Sequence, residues 1–283
     1  MTENFANING IKICYKTLGK GDPVILVHGF GDRKEHWRAQ IGDLSKHFTV
    51  IIFDNRSAGK SDRPDGDYTM EIFADDIAGL MDWLKIKKTN IIGHSLGGMI
   101  VQNFALKYPN RINKIILINT SAGITPPGAD PSQGIEMYKK SQITMIQEIK
   151  KDPINIFLNH AKPAYSREFW KQMKNDIKKK FHGIWSVEDL IDEKLINGPT
   201  EKSIVNQSEA FKSHNTYDRL NEIKNEVLIL CADKDKSMPQ SMCEKIHELL
   251  PNSKLIVIEN AGHQSILEYP KIINQHIIEF LKS

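Results

Sequence analysis

The sequence of 283 residues has little that would tie it to an oxidising compartment, a membrane or a nucleic acid. Its three cysteines, Cys14, Cys231 and Cys243, are too few and odd in number for a disulfide framework. Cys14 and Cys231 lie inside apolar runs and read as buried thiols, so a reducing, cytoplasmic setting is expected. No apolar stretch approaches the roughly 18 to 20 residues that cross a bilayer. The segment Met1–Asn7 has neither the basic start nor the apolar core of a secretory leader, so a soluble protein is expected. Lys and Arg total 38 against 35 Asp and Glu, a net charge of +3, without the concentrated basic surface of a nucleic-acid binder. Internal repeats and low-complexity segments are absent. So is His-Glu-x-x-His, and Asp65-Gly66-Asp67 and Asp233-Lys234-Asp235 lack the other ligands of a calcium loop, so no metal is expected.

What is present is ordinary globular composition, 40% apolar and 26% charged, in a chain long enough for one large domain or two modest ones. Residues 11–17 alternate in period two, as a half-buried strand does. Val24–Val27, Val50–Phe53, Asn90–Ile92 and Ile115–Ile118 are short and almost wholly apolar, which suits central strands of a parallel sheet covered on both faces. Helical spacing separates them at residues 70–85 and 98–107. The alternation predicts an α/β, doubly wound, mostly parallel sheet. It resumes after residue 226, with buried-strand runs Val227–Leu230 and Leu255–Ile258, a helix near 239–249, and a terminal helix striped by Ile273, Ile277 and Phe280.

The stretch between differs. It opens on the breaker cluster Thr125-Pro126-Pro127-Gly128, and it has helical patterns, no clear strand, and frequent aromatic and Met residues, among them Met137, Tyr138, Phe157, Tyr165, Phe169 and Trp185. We read it as a helical insertion before the last two strands, giving a first core part at 1–123, a helical cap or lid at 124–218 and a second core part at 219–283. Open α/β sheets bind ligands beyond the carboxyl ends of their strands, which is where such an insertion would sit.

The strongest chemical signal is Gly93-His94-Ser95-Leu96-Gly97, placed between an apolar strand and a helical pattern. A serine on a tight strand-to-helix turn projects its hydroxyl from the sheet, and the flanking glycines let backbones approach. A serine hydroxyl attacks poorly unless a base takes its proton and an acid orients that base. Acids Asp233 and Asp235 follow one late strand, and His263 follows the next, so all three kinds of group converge on one edge of the sheet.

These residues, with His28-Gly29-Phe30-Gly31, Asp54-Asn55-Arg56 through Gly59-Lys60-Ser61, Pro239 and Ala261-Gly262-His263, resemble the α/β-hydrolase superfamily, in particular its lidded serine esterase and lactonase-like members. The likeness spans nearly the whole chain. It implies Ser95 as nucleophile, His263 as general base and Asp235 as orienting acid. The backbone N–H groups of Phe30 and Leu96 would form the oxyanion hole. Asp235 is favoured over Asp233 by the family's spacing from Ala232. Some relatives carry the acid after the strand before the lid, but Asn119-Thr120-Ser121 offers no carboxylate there. His28 and His94 are expected to be structural, and Asp54 and Arg56 to brace a loop as a pair. Ala58-Gly59-Lys60-Ser61 imitates the end of a P-loop, yet Asp54 stands where that motif needs Gly. Lys178-Lys179-Lys180 reads as a solvated helix face.

The resemblance implies a cofactor-independent hydrolase that cleaves a carboxylic ester or lactone through an acyl-enzyme. The aromatic and Met-rich insertion predicts an apolar or mixed small-molecule substrate, and the charge balance and short apolar runs predict neither nucleic acid nor membrane as partner. A homo-oligomer is compatible with the sequence. Ser95 argues against the dehalogenases and epoxide hydrolases of the superfamily, which use Asp. The same triad would also serve an enol-lactonase, a carbon–carbon bond hydrolase or a cofactor-free perhydrolase. Carbon–carbon hydrolases usually show Gly-Pro-Gly after His-Gly and Trp after the catalytic His, whereas Gly31-Asp32 and Gln264 stand here. A non-catalytic ligand sensor is the reading from another class.

Overall fold

The computed structural model describes residues 2–123 and 130–283; Thr125–Gly128 of the breaker cluster lie outside the described residues. The strands are β1 (Asn4–Ile8), β2 (Ile11–Leu18), β3 (Pro23–Val27), β4 (Thr49–Phe53), β5 (Thr89–His94), β6 (Ile112–Ile118), β7 (Glu226–Ala232) and β8 (Ser253–Ile258). They form one eight-stranded sheet in the order β1-β2-β4-β3-β5-β6-β7-β8. All pairings from β4 through β8 are parallel, while β1 with β2 and β2 with β4 are antiparallel.

The apolar runs are continuous because both faces of these strands are covered. Val24 and Leu26 of β3 join Val50 and Ile52 of β4, Ile92 of β5 and Leu228 and Leu230 of β7 in one buried cluster. Their chain neighbours Ile25, Val27, Ile51, Ile91 and Ile229 join the other. The register puts Leu26 beside both Ile52 and Ile92, so each layer runs unbroken across the sheet. Helices α1 (Arg38–Leu44), α2 (Met70–Trp83) and α3 (Leu96–Lys107) belong to the first part of this core. Thr69 caps α2 through its side-chain oxygen, which accepts from the Ile72 N–H.

Two elements differ from the sequence-based expectation. β1 has no counterpart there: three of its five side chains are exposed, so it lacks an apolar signature, and it is held by backbone pairing to β2. Asn9 and Gly10, with φ of 49° and 76°, make the two-residue turn that sets Ile8 opposite Ile11. β8 is not a buried strand. It is the sheet's outer edge, and Val257 is 37% exposed, because an edge strand has one neighbour.

Between β6 and β7 lie α4 (Ser132–Glu148), α5 (Pro153–Ala161), α6 (Arg167–Asn175), α7 (Val187–Asn197) and α8 (Glu201–Lys212). Gly123 and Asn215 form an antiparallel bridge where the chain leaves and rejoins the sheet region. Ser186 and Thr200 head capping boxes that start α7 and α8. Much of the aromatic content of this insertion stacks on itself: Phe169, Phe181 and Trp185 pack with ring centroids 4.8 to 6.0 Å apart. Lys178–Lys180 are exposed, but in the irregular segment after α6 rather than on a helix. The chain ends with α9 (Gln240–Leu249), the short α10 (Ser265–Glu268) and α11 (Pro270–Lys282). Among the described residues no helix is long and apolar enough to cross a membrane.

Candidate active site

Ser95 sits between the end of β5 and the start of α3, at φ 56° and ψ −122°. A non-glycine residue there carries strain of about 1–3 kcal/mol, which its surroundings must hold. The Ser95 N–H donates to the Ile118 carbonyl at 3.0 Å, and the Ser95 carbonyl accepts from Thr120 Oγ1 at 2.8 Å. The two glycines of the motif are required by contact: a Cβ on Gly93 would run into the Gly97 carbonyl, and one on Gly97 into that of Val27.

Three side chains far apart in sequence meet here. His263 Nε2 lies 2.9 Å from Ser95 Oγ, and His263 Nδ1 lies 2.7 Å from Asp235 Oδ2. The other Asp235 oxygen accepts from the backbone N–H groups of Ser237 and Met238, both at 2.8 Å. Asp235 therefore has one oxygen fixed by its own loop and one left for the imidazole. Burial opposes a charge on His263, but the Asp235 carboxylate outweighs it, and the ring sits above its ordinary value. Asp233 does not reach this group; its Oδ1 accepts from the Ala261 N–H at 3.2 Å, and its Oδ2 pairs with Lys234.

The loop His28–Gly31 passes directly over Ser95. A Cβ on Gly29 would lie 3.3 Å from Ser95 Cβ. Among the described residues, the N–H groups of Phe30 and Leu96 donate to no other protein group. His28 is structural, as expected: its Nδ1 donates to the Gly29 carbonyl at 2.8 Å, and its Nε2 accepts from the Asn55 N–H at 3.0 Å. His94 Nε2 donates to the His263 carbonyl at 2.8 Å.

Asp54 and Arg56 brace the neighbouring turn, but with separate partners rather than each other. Asp54 accepts from the backbone N–H and Nζ of buried Lys34 and from the N–H of Lys60. Arg56 makes a two-pronged bond to Asp76. The carboxylate of Asp54 also fills the space beside Gly59, so the P-loop look-alike wraps a group of its own chain.

Sequence reasoning missed several residues that hold these parts. Asn119, at the position where some relatives carry the acid, donates to the His263 carbonyl and to Ser265 Oγ, both at 2.8 Å, and accepts from the Ala232 N–H at 2.9 Å. It ties the ends of β6 and β7 to the histidine loop. Gln207 of α8 accepts from the Gly31 N–H at 2.9 Å and donates to the Ser57 carbonyl at 3.3 Å. Lys194 of α7 donates to the Gly31 carbonyl at 3.1 Å and lies 3.6 Å from Asp32. Buried Glu268 accepts from the N–H groups of Gly262 at 2.8 Å and Ser166 at 3.1 Å, joining the histidine loop to the start of α6. No local pattern marks these residues, since each acts on a segment distant in sequence. Asn119 alone stands out in the sequence, for the carboxylate it lacks.

A cavity of about 320 Å³ opens above Ser95 and His263, under the insertion. Phe30, Tyr138, Phe157, Tyr165 and Leu267 give it apolar walls, while Asp32, Arg33, Arg38, Glu193, Lys194 and His160 give it charged and polar ones.

The family model described as alpha/beta hydrolase fold matches residues 22–270. The chain belongs to that family. A 2-hydroxy-6-oxononadienedioate/2-hydroxy-6-oxononatrienedioate hydrolase of Comamonas testosteroni is 28% identical over 287 residues, covering 99% of this chain and 95% of that protein. Among solved structures of this fold, an enol-lactonase from Burkholderia xenovorans LB400 superposes with a TM-score of 0.80 at 21% identity, covering 99% of this chain and all of that one. A thermophilic esterase from Thermogutta terrifontis superposes with a TM-score of 0.78 at 25% identity, covering 100% of this chain and 98% of that one. The α/β-hydrolase fold expected from the motifs is thus the observed one, and Gly93-His94-Ser95-Leu96-Gly97 falls at the strand-to-helix turn between β5 and α3.

Proposed function

We propose that the chain is a cofactor-independent serine hydrolase that cleaves a carboxylic ester or lactone through an acyl-enzyme. The single observation that carries this reading is the unbroken contact from Ser95 Oγ through His263 to Asp235, at 2.9 and 2.7 Å. His263 Nε2 takes the Ser95 proton as Oγ attacks the carbonyl carbon, and Asp235 stabilises the imidazolium that results. The tetrahedral oxyanion is received by the Phe30 and Leu96 N–H groups, which have no other acceptor among the described residues. The carbon–oxygen bond breaks as His263 returns the proton to the departing alkoxide. A water then repeats the attack on the acyl-enzyme with His263 as base, which releases the acid and restores Ser95.

The helical insertion acts as a lid that closes the 320 Å³ cavity over this chemistry. A small to medium substrate fits that volume, with a polar end among Asp32, Arg38 and Lys194. The names of two similar proteins, an esterase and an enol-lactonase, agree with an ester or lactone carbonyl, whereas the relative from Comamonas testosteroni is named for a different substrate. A fluorophosphonate probe tests the proposal. The wild type is expected to be labelled and to hydrolyse short-chain p-nitrophenyl esters, and Ser95→Ala to do neither. A wild type that stays unlabelled and inert overturns it in favour of a ligand sensor.

A further inference from the structure

Behind His263 lies a run of buried titratable groups that the acyl-transfer mechanism does not use. His94 Nε2 is 2.8 Å from the His263 carbonyl, His94 Nδ1 is 3.2 Å from His36 Nε2, and His36 Nδ1 is 3.4 Å from Asp32 Oδ2. The rings of His36 and His94 stack with centroids 5.1 Å apart, and those of His94 and His263 are tilted by 44° with centroids 5.0 Å apart. His36 and His94 are buried, on the loop after β3 and at the end of β5.

Proton counting fixes the direction of the chain. A carbonyl oxygen only accepts, so His94 must carry its proton on Nε2. Burial, with His263 and His36 close by, holds His94 far below the ordinary imidazole value and therefore neutral. Its Nδ1 is then bare and must accept, which obliges His36 to carry its proton on Nε2. Burial likewise pushes His36 down, to about 4, against the pull of Asp32. Two neutral rings hold two protons, and both are used. The remaining contact, His36 Nδ1 to Asp32, has none, and it is the longest of the three at 3.4 Å. The distances thus match a chain of two hydrogen bonds that starts on His36 and is directed toward the His263 carbonyl.

We propose that His94 and His36 are positioning residues for His263. Through the His263 carbonyl, which they hold jointly with Asn119, they fix the main chain from which the imidazole reaches Ser95. Asp32 lies beside the far end of the chain, 3.4 Å from His36 Nδ1 and 3.6 Å from Lys194 of the insertion. The inference rests on His263 being the catalytic base, and its test separates the two ideas.

The first measurement is nitrogen-15 NMR of histidine-labelled wild-type protein, with signals assigned from His36→Phe and His94→Gln. Near neutral pH both rings are expected as Nε2–H tautomers. Either ring as the Nδ1–H tautomer, or as imidazolium, overturns the chain whatever the protein's activity. The second measurement uses p-nitrophenyl acetate. His36→Phe keeps a stacking ring but removes the donor to His94, and it is expected to lower kcat about tenfold with KM unchanged, the scale of one buried hydrogen bond. His36→Gln restores an N–H donor and is expected to recover most of that loss. If Phe matches the wild type, or Gln is the more damaging, His36 serves packing alone and the proposal fails. A wild type that is inert toward ester and fluorophosphonate refutes the hydrolase reading instead, and leaves the tautomers to be judged by their spectra.

Discussion

Replacing Asp235 by Asn changes one atom of the carboxylate, and the surrounding contacts decide where that atom goes. One Asp235 oxygen accepts two backbone N–H groups, from Ser237 and Met238, each at 2.8 Å. Turning an amide NH₂ toward them would leave both donors unmatched, at about 1–3 kcal/mol each. The substituted side chain therefore keeps its oxygen on the loop and presents NH₂ to His263 Nδ1, which lies 2.7 Å from Asp235 Oδ2. Two donors cannot share a hydrogen bond, so His263 must surrender the Nδ1 proton and carry it on Nε2. That nitrogen then donates to Ser95 Oγ at 2.9 Å and can no longer accept from it. Inversion of the tautomer is expected to cost about 10⁴ in kcat, equivalent to about 5 kcal/mol of barrier. Because every polar contact finds a partner again, the melting temperature should move little. The assay is kcat on p-nitrophenyl acetate beside a thermal melt, with Asp233→Asn as the control. Asp233→Asn should stay within about tenfold of wild type, since its amide oxygen still accepts from the Ala261 N–H and it loses only the exposed pair with Lys234, not a bond to the base. An Asp235→Asn variant that keeps a tenth of wild-type activity, or an Asp233→Asn variant that is the worse of the two, refutes the reasoning.

Three further outcomes follow from the same contacts. Ser95→Gly and Ser95→Ala should both be inactive, but Gly accepts φ 56° freely and Ala does not, so the Gly variant should be the more stable by about 1 kcal/mol in chemical denaturation; equal stabilities would show that the turn is unstrained. The raised value of His263 places its proton uptake above that of an ordinary imidazole, and uptake removes the base, so kcat/KM should fall as pH drops through that raised value; an acid limb at or below the ordinary imidazole value contradicts this. Gln207→Leu strands the Gly31 N–H and the Ser57 carbonyl, and it should lower kcat about tenfold as the Phe30–Gly31 loop loses its hold, at about 1–3 kcal/mol of stability; a stability loss with unchanged kcat would make Gln207 a packing residue only.

The core was legible because β3 to β7 are covered on both faces, which forces apolar runs such as Val24–Val27 that few other structures require. β1 was not, since its side chains are mostly exposed and its stability lies in backbone pairing that carries no side-chain signature. The meeting of Ser95, Asp235 and His263 was readable because each follows directly on a strand end, and parallel strands place such ends on one edge. The partners of Asp54 and Arg56 were not readable, for charge says that a buried group needs a counter-ion but not which one; Lys34 and Asp76 are chosen by the path of the chain. The aromatic insertion suggested its substrate by composition, yet Phe169, Phe181 and Trp185 spend their faces on one another. Composition does not separate a wall from the filling behind it.

Gln207 and Lys194 grip the N–H and the carbonyl of Gly31 from α8 and α7, helices that the sheet does not contain. The insertion therefore anchors the loop over Ser95 as well as lining the cavity above it. Excising α4 to α8 and splicing Gly123 to Asn215 would spare the sheet and leave Ser95, Asp235 and His263 on their strand ends, yet it would unmoor the peptide that lies over Ser95. Any segment exchanged for this one must then bring replacement anchors for Gly31 with it, so the walls of the cavity and the hold on that loop change together in a single stretch of chain.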